Sequence, residues 1–150
     1  MASLDMSDKA SIVGRSLDDI EKYGDKGTAY LGKVVLSTGE RPVLGRKILM
    51  DVAQPHLILI CGKRGGGKSY SLAVLIEEFA RQPFEIRQRL SVIVIDTVGI
   101  FWTLKIPTKS EVKELEKWDL APEKTDVRVL VPAGAKEFYD RKGLPIDGAF

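Results

Sequence analysis

The spacing of apolar positions changes repeatedly along the chain, and each change predicts an element. Residues 1–27 are polar and mixed in charge, with one short helix predicted over Ser16–Tyr23. Ser16 can cap that helix, and Asp19 stands at its third position, where a carboxylate favours the helix dipole. This N-terminal segment is expected to be mobile or weakly docked. Tyr30–Leu36 reads as a strand closed by the turn Ser37-Thr38-Gly39-Glu40, and Val43–Met50 as a second extended piece. Together they predict a small β appendage over 28–52.

From residue 53 the pattern changes character. Leu57-Ile58-Leu59-Ile60-Cys61 is a continuous apolar run bounded by Pro55 and Gly62, as expected of a strand buried on both faces of a parallel sheet. From Gly67 to Gln82 the period is helical. Leu72, Leu75, Ile76 and Phe79 fall on one stripe, Ala73, Val74 and Ala80 widen it, and Pro83 stops it. Val92–Asp96 is a second buried-strand run, and Val127–Val131, ended by Pro132, a third. Between them Val112, Leu115 and Trp118 mark a short amphipathic helix for which Thr108 and Glu111 form a capping box. Alternating strands and helices predict an α/β fold with right-handed crossovers over 53–150.

Composition narrows the class without naming an activity. The 150 residues amount to about one domain, and 44% hydrophobic with 29% charged residues is the balance of a globular protein, not a disordered one. The longest apolar stretch falls far short of the roughly 18 residues of a spanning helix, and Met1–Asp5 lacks the start of a secretory signal. No membrane association is therefore expected. One cysteine forms no internal disulfide, so a cytoplasmic location is the default expectation. A net charge of +2 argues against a purely electrostatic nucleic-acid binder.

Chemistry concentrates at Gly62-Lys63-Arg64-Gly65-Gly66-Gly67-Lys68-Ser69, a full match to G-x-x-x-x-G-K-[ST] placed between a predicted strand and a predicted helix. Four glycines allow the backbone to wrap phosphate oxygens with its N–H groups turned inward, and the helix N-terminus adds partial positive charge. Lys68 is expected to reach the β- and γ-phosphates, and the Ser69 hydroxyl to ligate Mg²⁺. Lys63 and Arg64 either add positive potential for a triphosphate or are solvated turn charges. Tyr70, next to the serine, packs or touches the nucleotide, with packing the expected role. A glycine-rich turn that binds nothing needs fewer glycines and no Lys-Ser.

Asp96 has two readings. An apolar strand ending in Asp is where a Mg²⁺-organising carboxylate stands in such NTPases, yet Thr97 follows where a water-activating Glu would be needed. A strand-end Asp can equally cap the turn Thr97-Val98-Gly99. Ile100-Phe101-Trp102 is expected to pack beneath a loop, with base stacking the alternative. His56, the single histidine, is expected to hold position, and Cys61 to be buried and inert.

The residues Leu44–Ile48, Asp51-Val52, Pro55–Ile58 and the loop Gly62–Ser69 together resemble the HerA/FtsK superfamily of P-loop ATPases. Asp96–Trp102 is similar to the segment that ends the second strand of HerA-like proteins, departing at Thr97 and at Ile100-Phe101. The resemblance runs over about Gly32–Val131. It implies a RecA-like three-layer P-loop sandwich, ATP and Mg²⁺ as cofactors, hexameric ring assembly, translocation along double-stranded DNA and a nuclease partner. It also implies a later Asp-Glu pair and more parallel strands than the three candidates here, and no apolar run ending in Asp-Glu occurs in the 150 residues. The expectation is thus the N-terminal portion of a longer ATPase, or a truncated relative, with an incomplete sheet and marginal solubility. A nucleotide-dependent switch that binds without turnover is the alternative. A small-molecule kinase is more distant, since Arg81, Arg87 and Arg89 flank a helix end instead of forming a lid.

Overall fold

A computed structural model describes residues 9–39, 42–110 and 112–150. The chain divides into two compact units, Met1–Ile86 and Arg87–Phe150. The division falls inside the stretch 53–150 that the sequence pattern reads as one piece.

The first unit is built on a three-stranded mixed sheet. Strands β2 (Thr28–Ser37) and β3 (Val43–Asp51) pair antiparallel, as the two apolar runs and their glycine turn predict. Glu40 of that turn lies outside the described residues. A third strand, β1 (Ser11–Val13), joins β3 in parallel with Ile12 opposite Leu49, giving the order β1-β3-β2. Helix α1 (Leu17–Tyr23) follows, capped as expected: the Asp19 N–H donates to Ser16 Oγ at 3.2 Å, and Gly24 closes the helix at φ 61°. Residues 9–27 therefore carry a strand and a helix where a mobile or weakly docked segment is expected.

One buried ion pair fastens this N-terminal segment to the sheet. Arg15 donates from Nε to Asp51 Oδ1 at 2.8 Å and from Nη2 to the same oxygen. Nη1 reaches the carbonyl of Gly24 (2.8 Å) and Nη2 those of Lys26 (2.8 Å) and Gly27 (3.0 Å), so each nitrogen of the buried guanidinium has an acceptor. Burial pushes the Asp51 carboxyl up, but Arg15, His56 and the Gln54 amide together hold it below the usual carboxylate range.

Helix α2 (Lys68–Ala80) packs across one face of the sheet. Ala29, Met50 and Leu75 form the buried cluster, with Val52, Ile60 and Phe79 against it. Of the predicted stripe, Leu75 and Ile76 are buried, whereas Leu72, nearer the loop, is exposed. Polar side chains finish the seam. Glu78 accepts the Tyr30 N–H at 2.8 Å, and Gln82 donates to the Thr28 carbonyl at 2.9 Å. A four-residue helix α3 (Phe84–Arg87) ends the unit.

In the second unit a 3₁₀ turn (Phe101–Lys105) precedes helix α4 (Val112–Lys117), helix α5 (Lys136–Arg141) and a two-stranded parallel pair, β4 (Leu130–Val131) with β5 (Gly148–Ala149). Leu104 and Val131 are its buried apolar residues. Lys105 and Asp147 pair at 2.6 Å, and Asp147 also accepts the Val129 N–H at 2.6 Å. Helix α4 lies where the apolar spacing places it; Glu111 of the expected capping box lies outside the described residues.

The runs read as buried parallel strands differ most from expectation. Among the described residues neither 57–61 nor 92–96 forms a strand, and of 127–131 only Leu130–Val131 does. Leu57 is 100% exposed, Leu59 86%, and Ile93 and Ile95 87% each. A parallel strand needs neighbours on both edges and cover on both faces, and these runs find neither within their own units. Cys61, expected to be buried with its run, is exposed with it. Among the described residues no helix is long and apolar enough to cross a membrane.

Two stability predictions follow from these contacts. Replacing Arg15 by Leu leaves the Asp51 carboxylate buried without its cation and is expected to cost about 3–5 kcal/mol in urea unfolding. The β-branched run Val92–Ile95, apolar and exposed, is expected to drive self-association; Ile93→Lys with Ile95→Lys should lower light scattering at equal protein concentration.

Candidate functional site

Helix α2 starts at Lys68 because the backbone before it can turn sharply. Gly65 and Gly67 take φ of 78° and 82°, a left-handed conformation that side-chain-bearing residues rarely adopt, and Gly67 is the cap from which the helix begins. Gly66 closes a tight turn by donating its N–H to the Lys63 carbonyl at 3.1 Å. A Cβ on Gly66 would stand 3.1 Å from that same oxygen. The first helical turn is fixed by Ser71, whose N–H and hydroxyl both donate to the Gly67 carbonyl, at 2.9 and 3.2 Å.

The eight motif residues form one glycine-rich turn leading into α2. Lys68 folds back over the loop and donates from Nζ to the Lys63 carbonyl at 2.7 Å, with Gly62 beneath its aliphatic stem. An ammonium placed across the mouth of a glycine loop is positioned to exchange that carbonyl for a phosphate oxygen. Lys63, Arg64 and Ser69 are exposed around it. Tyr70, expected to pack, is exposed instead, because its position on α2 faces away from the seam with β2. The loop thus offers backbone N–H groups, a helix N-terminus of a 13-residue helix, one ammonium within it and a hydroxyl at Ser69. This donor set suits a polyphosphate, and the Ser69 hydroxyl suits Mg²⁺ shared with phosphate oxygens.

Asp96 belongs to the second unit, and there the turn-capping reading is the one its geometry realises. Oδ1 accepts the N–H groups of Val98 (3.1 Å) and Gly99 (2.8 Å), and Oδ2 those of Ile100 (2.7 Å) and Phe101 (2.8 Å). Gly99 permits the turn with φ 73°, and a Cβ there would stand 2.9 Å from the Tyr139 hydroxyl. Burial pushes the Asp96 carboxyl up, but the four amides outweigh it and hold it below the usual range. Phe101 and Trp102 are half-buried in the 3₁₀ turn that this carboxylate starts. Among the described residues no cluster of three or more His, Cys, Asp or Glu is gathered as a metal site.

Pattern reading did not single out Arg15, Glu78 or Gln82, and took Asp51 only as part of a resemblance. The available signal was a carboxylate ending an apolar strand, Ile48-Leu49-Met50-Asp51, the same feature that drew notice at Asp96.

Because the folded-state pKa of Asp96 lies below its unfolded value, its stabilising contribution is complete above about pH 3.9 and is lost as the pH falls through that value toward the lower folded one. Asp96→Asn is expected to remove about 1–3 kcal/mol at neutral pH and to flatten the acid limb of stability, measured by urea unfolding between pH 7 and 2. No family model, curated protein or solved structure matches the chain.

Proposed function

We propose that the chain binds the triphosphate of ATP with Mg²⁺ at the loop Gly62–Ser69, as the nucleotide-binding portion of a HerA-like ATPase. The observation that carries this reading is the loop itself: two left-handed glycines deliver the chain into α2, with the Lys68 ammonium turned back across the mouth. The backbone N–H groups of Gly65, Gly67, Lys68 and Ser69 and the positive end of α2 hold the phosphate charge, the Gly66 N–H being used in the turn with Lys63. Lys68 supplies a mobile point charge for the β- and γ-phosphates, and Ser69 a hydroxyl for the metal. Bound Mg²⁺ supplies charge neutralisation between the phosphates. Lys63 and Arg64, both exposed beside the loop, add potential that draws a tetra-anion inward. A RecA-like core, ring assembly, double-stranded DNA and a nuclease partner belong to this proposal through the family resemblance alone, and a cytoplasmic location through the single cysteine.

One observation favours a second reading, binding without turnover by these residues. Both oxygens of Asp96, the only strand-end carboxylate weighed as a metal ligand in the sequence, already serve four backbone amides.

Isothermal titration with Mg-ATP tests the binding claim. Lys68→Ala is expected to weaken affinity by about 10- to 100-fold, the size of one or two charge-assisted hydrogen bonds. Equal affinity in the two proteins removes the proposal. Thermal unfolding separates the readings: a cooperative transition of the 150-residue chain, sharpened by Mg-ATP, supports the switch, and its absence supports a portion of a larger ATPase.

A further inference from the structure

The segment joining β3 to the phosphate loop has no strand ladder among the described residues, so side-chain tethers set its course. Val52 packs against the core at the start of the segment, and two further tethers lie beyond it. Ile60 packs against the Ala29–Met50–Leu75 cluster. Five residues after Asp51, His56 places Nε2 3.1 Å from Asp51 Oδ2, the oxygen that also accepts the Gln54 N–H at 3.0 Å. Asp51 is a fixed anchor: it is buried, held by Arg15, and ionised, so it can only accept. The proton in the contact therefore sits on His56 Nε2.

Gly14 lies beside the same nitrogen-bearing edge of the imidazole. At its φ of 84° it comes so close that a Cβ there would stand 2.9 Å from His56 Cε1. With 26% of its side chain exposed, His56 lies against both the anchor and the backbone that follows β1. The histidine thus fastens the chain six residues before Gly62, where the loop begins.

We infer that His56 is a positioning residue for the phosphate loop, acting through Asp51 to hold the entry segment 57–61 in its binding course before nucleotide arrives. This rests on the nucleotide reading above. A loop ordered in advance spends less of its interaction free energy on ordering when the ligand binds. Loosening the tether should therefore weaken affinity without touching any group that contacts phosphate.

The test uses the full chain as wild type, His56→Leu and His56→Gln, the glutamine keeping an N–H donor. A nitroxide on Cys61, the single cysteine and exposed, reports the mobility of the entry segment in nucleotide-free protein. Unlabelled samples give Mg-ATP affinity by calorimetry. His56→Leu is expected to raise label mobility and weaken affinity about five- to tenfold, with His56→Gln returning both toward wild type. Should the leucine variant not fold, His56→Asn, polar but too short to reach Asp51, takes its place. Unchanged mobility overturns the inference whatever the nucleotide does, and so does raised mobility with wild-type affinity or a failure of glutamine to rescue. A wild-type chain that binds no Mg-ATP overturns the nucleotide reading instead, and the mobility comparison then decides the tether alone.

Discussion

The contact between Arg15 and Asp51 organises the N-terminal unit. Taking two charges out of water costs several kcal/mol each, and an ion pair in such a place stabilises only when its remaining donors and acceptors are also satisfied. Here each guanidinium nitrogen has an acceptor. The guanidinium also reaches three carbonyls of the segment 24–27, and the carboxylate takes a backbone amide and an imidazole as well. One side chain thus joins the end of β1, the segment after α1 and the end of β3. Without it, the three-residue β1 would have little to keep it in the sheet.

Support then passes outward from the sheet to the loop. The C-terminal half of α2 is held by Leu75, Ile76, Glu78 and Gln82, whereas Tyr70 and Leu72 in its first turns are exposed. The helix is rooted at one end and presents the other. Lys68 carries a further implication. Its ammonium already has a partner in the Lys63 carbonyl, so engaging a phosphate is an exchange of one acceptor for another. Under the proposed reading, the full negative charge of a phosphate would favour that exchange over a neutral ligand.

The local elements were legible because their signals are local. Ser16 and Asp19 mark the start of α1 within four residues; the strand runs around Gly39 define β2 and β3; the 3.6-residue stripe and Pro83 bound α2. The sharp turn at Gly65 and Gly67 that opens α2 was legible for the same reason, since these glycines act where they stand. Leu57–Cys61 and Val92–Asp96 were not. Their composition expresses a preference for burial, but whether a strand forms depends on neighbours that a run of apolar letters does not name. The buried polar groups were illegible too, because Arg15 and Asp51 lie 36 residues apart and Tyr30 and Glu78 lie 48 apart. Asp96 shows the middle case: its carboxylate was noticed, and only the positions of four amides decide its work.

Glu78 and Gln82 do more than dock a helix. By taking the Tyr30 N–H and giving a hydrogen to the Thr28 carbonyl, they occupy main-chain groups on the outward side of β2 that another strand would otherwise seek. That flank of the sheet is closed to recruitment near its base. An incoming strand is thus barred from the Thr28–Tyr30 end of β2, so the same two side chains that seat the helix also protect the sheet where the core lies beneath it.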